Sequence, residues 1–124
     1  MDILTVNTGS SNVKYALFKN GSKVHSGRVD RIGTSSSFVL ENSRIENVKA
    51  KTFSQAAGII AKKFDSPDVI SYRVVYAKGL NEPILLPSSV IDRIRQGINI
   101  APLHNPPVLE VIKVLKRSFP KAKH

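Results

Sequence analysis

Apolar and polar positions alternate almost from the first residue. Ile3–Val6 and Val13–Phe18 are rich in β-branched and aromatic residues and read as two strands around a short polar run, Asn7 to Asn12. Asn20-Gly21 is a tight-turn signal, because both central residues of a type I′ turn need positive φ. Lys23–Val29 alternates again, which predicts a third strand returning beside the second. Beyond the flexible run Gly33–Ser37, Phe38–Leu40 and Arg44–Lys49 predict a second hairpin through Glu41-Asn42-Ser43.

The period then lengthens. Ser54 predicts a helix cap, with Ala56, Ala57, Ile60, Ala61 and Phe64 on one face and Asp65-Ser66-Pro67 ending the helix. Val69–Val75 is an apolar run broken by Ser71 and Arg73 and reads as a buried strand. Ser89-x-x-Asp92 resembles a capping box and opens a short helix to Gln96, stopped by Gly97. Asn105-Pro106 makes a cap and first-turn pair. The helix that follows runs to about Phe119, with Leu109, Ile112, Leu115 and Phe119 as its core stripe. No repeat or linker divides the 124 residues, which suit one domain. Strands followed by helix, strand, helix, helix support an α/β or α+β class.

Composition changes this picture only in part. Hydrophobic content of 41% and charged content of 23% are those of an ordinary globular chain. No apolar run reaches the ~18 residues of a transmembrane helix, so no membrane partner is expected. The Met1-Asp2 start carries no basic region or cleavage signal, so no signal peptide is expected. Without cysteine there are no disulfides and no Cys-based zinc sites, which fits a cytoplasmic location. Lys and Arg number 19 against 9 acidic residues, giving +10, and the tail is purely basic at Lys113, Lys116, Arg117, Lys121 and Lys123. That excess reads as nucleic-acid binding, a solvated helix face or a surface for an acidic partner. Aromatics placed to stack bases are missing, so nucleic acid ranks last.

Three places could carry chemistry. In the first turn Gly9 permits φ > 0 and leaves no Cβ in a ligand's way. Ser10, Ser11 and Asn12 add short donors and Lys14 adds a cation, so the turn reads either as an anion nest or as a plain hairpin tip. Neither a Walker A loop nor G-x-G-x-x-G is present. Arg73 stands in an apolar run, where burial is costly without an anion, and a guanidinium grips a carboxylate bidentately. The other reading pairs it with a buried acid. His104 precedes a proline-started helix, and helix N-termini favour anions.

Those three segments, in this order, resemble the acetate kinase family. The family's V-N-x-G-S-S-S-x-K-[FY] pattern is matched at Asn7, Gly9, Ser10, Ser11, Lys14 and Tyr15. Its His-Arg-Val-Val-His-Gly-Gly pattern is matched at Arg73, Val74 and Val75, and Ala-Pro-Leu-His-Asn-Pro without a break from Ala101 to Pro106. The departures are Asn12 for serine, Tyr72 and Tyr76 for the two histidines, and Ala77-Lys78 for the glycine pair.

The resemblance implies an actin-like, ribonuclease H-like ATPase fold, a mixed sheet opening with an antiparallel meander and helices packed on it. It also implies transfer of the ATP γ-phosphoryl to a short-chain carboxylate. Gly9, Ser10, Asn12 and Lys14 would bind ATP phosphates, Asn7 would attend Mg²⁺, Arg73 would bind the carboxyl group and His104 the transferring phosphoryl. The family's proteins are much longer, so residues 1–124 are expected to be an N-terminal domain without the family's catalytic aspartate, second-domain Arg and His, and adenosine pocket. Alone it is expected to be inactive or nearly so, with a complementary C-terminal half or self-association as its partners. The rival expectation is a non-catalytic relic or a basic module for an acidic partner or nucleic acid.

Overall fold

The computed structural model describes residues 1–74, 84–99, 101–102 and 105–124. Its frame is a six-stranded sheet in the order β5-β4-β3-β2-β1-β6. β1 (Asp2–Thr8), β2 (Val13–Lys19), β3 (Ser22–Asp30), β4 (Phe38–Glu41) and β5 (Arg44–Asn47) form an antiparallel meander. β6 (Val69–Tyr72) lies parallel to β1, reached through α1 (Phe53–Ala61). After it come α2 (Ser88–Gln96), a single 3-10 turn (Gly97–Asn99) and α3 (Asn105–Ser118).

Both hairpins close on two residues of positive φ, Asn20 (50°) with Gly21 (83°) and Asn42 (48°) with Ser43 (63°). That is the backbone a type I′ turn needs, because its twist matches the strands it joins. β3 departs from plain alternation. Lys19 faces Ser22 and Phe18 faces Lys23, but Leu17 faces His25, so Val24 is an extra residue. This bulge turns His25, Gly27 and Val29 toward the helices and leaves Arg28 on the opposite face.

The core lies between one face of the sheet and two helices. Leu4, Val6, Val13, Tyr15, Val29, Val39 and Ile70 meet Ala56, Ala57 and Ile60 of α1 and Val111, Val114, Leu115 and Phe119 of α3. Each fully buried Leu or Ile contributes about 1.5–3 kcal/mol. α3 has a second apolar side, where Val108 and Ile112 pack on Ile94 of α2. The core stripe is therefore wider than the one read from the sequence, and Leu109 is only half-buried.

Three caps differ from expectation. The cap of α1 is Thr52, whose hydroxyl accepts from the Gln55 amide at 3.1 Å, while Gln55 Oε1 accepts from the Lys51 amide at 2.8 Å. α1 ends at Ala61, yet Phe64 stays buried against the core. α2 starts after Pro87 with no side-chain cap, and Asp92 pairs with Arg95 at 2.7 Å instead. Asn105 is fully buried and donates from its side-chain nitrogen to the Ile94 carbonyl at 2.9 Å, pinning α3 to α2. β6 stops at Tyr72, earlier than the predicted Val75, which lies outside the described residues. On the far side of β6, Lys123 bridges Val69 in parallel, and its carbonyl accepts from the Ile70 amide at 2.8 Å.

Candidate functional site

The turn between β1 and β2 is closed by its own backbone. The Gly9 amide donates to the Asn12 carbonyl at 2.7 Å, and the Ser11 carbonyl accepts from the Ile32 amide at 2.9 Å. Two expectations are corrected here. Gly9 does not take positive φ, and its amide is turned inward instead of being offered to an anion. Its lack of a side chain matters for space, because a Cβ there would stand 2.6 Å from Asn12 Oδ1. Asn12 therefore folds its side chain over Gly9. Among the described residues the Ser10 and Ser11 amides meet no acceptor, and both residues are exposed, so those two donors remain for a ligand.

Strand register then aligns a row of side chains beside the turn. Asn7 and Lys14 are partners across the β1–β2 ladder, and Lys14 and Arg28 are partners across β2–β3. On the other side Val6 pairs with Tyr72, and the Arg73 amide donates to the Val6 carbonyl at 3.2 Å, which sets Arg73 beside Asn7. Because Val6, Val13 and Val29 point into the core, their neighbours Asn7, Lys14 and Arg28 point to the face away from α1 and α3. Asn7, Lys14 and Arg73 are exposed. β1 and β6 run parallel, so the row crosses the carboxyl ends of two neighbouring strands, where open α/β sheets bind ligands.

Arg73 differs from its sequence reading in one respect. It is exposed, so no burial cost demands an anion, and among the described residues it forms no ion pair. The electrostatic argument survives in another form. Strands are about 4.8 Å apart, and like charges at that spacing in water repel by about 1 kcal/mol. Only Lys14 and Arg28 stand at that spacing, and Asp30 offsets part of the Arg28 charge; Arg73 lies a further strand away, across Asn7. His104 lies outside the described residues, as do Tyr76, Ala77, Lys78 and Gly79. Arg28 was not singled out from the sequence. An unbroken Asn20-Gly21 hairpin would set Gly27 opposite Lys14, and only the bulge at Val24 brings Arg28 there.

Two polar clusters lie on the helical side of the sheet. Glu41 accepts from the Tyr15 hydroxyl and from Lys63 Nζ at 3.1 Å, and His25 Nε2 stands 3.1 Å from its other oxygen. Desolvation pushes the Glu41 carboxyl up, but the Tyr15 and Lys63 hydrogen bonds outweigh it and hold the group below its usual value. Burial and the neighbouring carboxylate push the Tyr15 phenol up. The second cluster joins Tyr72 to His124, whose imidazole is depressed by burial. Among the described residues no group of three His, Asp or Glu is placed to hold a metal ion.

The family described as the Acetokinase family matches residues 2–124. An acetate kinase of Mycoplasmopsis pulmonis is 32% identical over 138 residues, covering 99% of this chain and 35% of that protein. The structure of Porphyromonas gingivalis acetate kinase superposes with a TM-score of 0.86 at 25% identity, over 98% of this chain and 35% of that one. A propionate kinase from Francisella tularensis gives a TM-score of 0.82 at 23% identity, over 98% of this chain and 35% of its own, and speaks for the fold alone. The chain thus spans about a third of the length of the relatives it matches.

Proposed function

The chain belongs to the acetokinase family, and we propose that it supplies the phosphate-binding and carboxylate-binding part of an acyl kinase. The proposed reaction moves the γ-phosphoryl of ATP onto a short-chain carboxylate, giving an acyl phosphate and ADP. Such a transfer depends mainly on positioning and on offsetting charge. The observation that carries the reading is the row Lys14–Asn7–Arg73 beside the Ser10 and Ser11 amides. In this reading Ser10, Ser11 and Lys14 hold polyphosphate oxygens, and Gly9 and Asn12 shape the turn that presents them. Arg73 grips the acceptor carboxylate from the next strand but one, and His104 acts on the transferring phosphoryl.

Mg²⁺ fits the same row with a single protein ligand. The Asn7 side chain is exposed and bonded to no described residue, and Mg²⁺ bound to nucleotide keeps several waters and takes its remaining ligands from phosphates. Bound there, the ion would supply charge neutralisation at the polyphosphate. The acceptor proposed is a short-chain carboxylate such as acetate, propionate or butyrate. We place the protein in the cytoplasm, on composition.

The chain is proposed to act as an N-terminal domain, with the remaining catalytic groups supplied from beyond these 124 residues. The 124-residue chain should accordingly bind ATP–Mg²⁺ with little turnover. Amide shifts at Ser10, Ser11 and Lys14 on adding ATP–Mg²⁺, together with a hydroxamate assay for acetyl phosphate, test this. Unmoved amides would defeat the site, and rapid turnover would defeat the division of labour.

A further inference from the structure

We infer that Arg28 is an additional phosphate-binding residue, working beside Lys14 on the polyphosphate of the nucleotide. The inference rests on the phosphate reading of the β1–β2 turn. The bulge at Val24 puts Arg28 directly across from Lys14 and on the same, helix-free face. Beyond Asp30 the chain continues along the turn itself, since the Ile32 amide donates to the Ser11 carbonyl.

The Arg28 side chain is 40% exposed and held in place: its Nε donates to Asp30 Oδ2 at 3.0 Å. The other Asp30 oxygen accepts from the Arg31 amide at 2.8 Å, so the carboxylate is engaged on both sides. The terminal guanidinium nitrogens form no hydrogen bond or ion pair with a described residue. A guanidinium fixed through Nε keeps its outer donors as a ready fork for a phosphate and loses little side-chain freedom on binding. With neighbouring strands about 4.8 Å apart, Lys14 and Arg28 can reach the same polyphosphate chain from adjacent strands.

The experiment is calorimetric titration of the full 124-residue chain with ATP–Mg²⁺, in about 50 mM and about 500 mM salt. Arg28→Gln should weaken binding about tenfold at low salt. Arg28→Lys, which keeps the charge but loses the planar fork and its Nε anchor, should fall between the parent and Arg28→Gln. The gap between the parent chain and Arg28→Gln should close at high salt, because an exposed charge contact is screened. If Arg28→Gln binds like the parent while Lys14→Gln is weakened, the role of Arg28 falls and the phosphate reading stands. A loss that persists at high salt with a lowered melting temperature marks a structural role and also overturns the inference. A parent chain that binds no ATP–Mg²⁺ overturns both.

Discussion

Gly9 and Asn12 fit together as a pair: the Gly9 amide donates to the Asn12 carbonyl at 2.7 Å, and Asn12 Oδ1 occupies the space a Gly9 Cβ would need. Gly9→Ala should therefore displace the Asn12 side chain at a stability cost of about 1 kcal/mol. Weaker ATP–Mg²⁺ binding should accompany it, because the turn presents the Ser10 and Ser11 amides. Asn12→Ser added to Gly9→Ala should recover most of the stability, since the shorter side chain relieves the contact. Urea unfolding of the two variants checks this, and an unimproved double variant would refute the pairing.

Gly27 faces a harder limit. A Cβ there would stand 2.6 Å from both Glu41 Cγ and the Tyr15 hydroxyl oxygen, and 2.8 Å from the Leu40 carbonyl oxygen. The last is backbone of the neighbouring strand and cannot step aside. Gly27→Ala should cost about 1–3 kcal/mol, read as a lower urea midpoint. An unchanged midpoint would mean that β4 shifts more freely than its ladder suggests.

The comparison of these two glycines marks what the sequence makes legible. The hairpins at Asn20-Gly21 and Asn42-Ser43 are local signals, and both form with the required positive φ. The β1–β2 turn is local too, yet its glycine takes no positive φ and the room it leaves is filled by the Asn12 side chain. What sequence reading missed is non-local or competitive. Thr52-x-x-Gln55 is a readable capping signal that competes with Ser54, and the helix uses it, the glutamine returning to the Lys51 amide. The Val24 bulge has no residue signature of its own, so Arg28 stayed hidden until the register was known. The width of the α3 core stripe follows from packing on both α1 and α2, which periodicity along one helix cannot reveal.

Glu41 ties β4 to β2 and to the end of α1 through Tyr15 and Lys63, with its side chain only 21% exposed. Glu41→Gln removes the charge that both donors answer and should cost about 1–3 kcal/mol near neutrality. The sign with pH follows from its depressed carboxyl. A group with a folded value below its unfolded value of 4.5 contributes stability above that pH and loses it as pH falls through the folded value. The acid limb of the stability curve should therefore be shallower in Glu41→Gln. Equal limbs in the two proteins would remove Glu41 from the account.

His124 sets a second acid-side dependence, at higher pH. Its Nε2 lies 3.0 Å from the Phe119 carbonyl, which only an N–H can satisfy, so Nδ1 carries the lone pair that accepts the Tyr72 hydroxyl at 2.8 Å. The rings stack with centroids 5.9 Å apart. Burial lowers the imidazole value, the Phe119 bond pulls part of the way back, and a smaller repulsion from Lys116 lowers it again. The unfolded chain then binds the proton more readily than the folded one. Stability from this pair is complete above pH 6.5 and falls away as pH drops through the depressed folded value. Tyr72 mirrors this at the alkaline end, because burial raises its phenol above 10.0, so stability declines as pH rises past that value. His124→Phe keeps the stacking and removes the titration, and should flatten the slope of unfolding free energy just below pH 6.5. An imidazole titration followed by NMR gives the direct check: a midpoint at or above 6.5 would contradict the buried, neutral ring on which the argument depends.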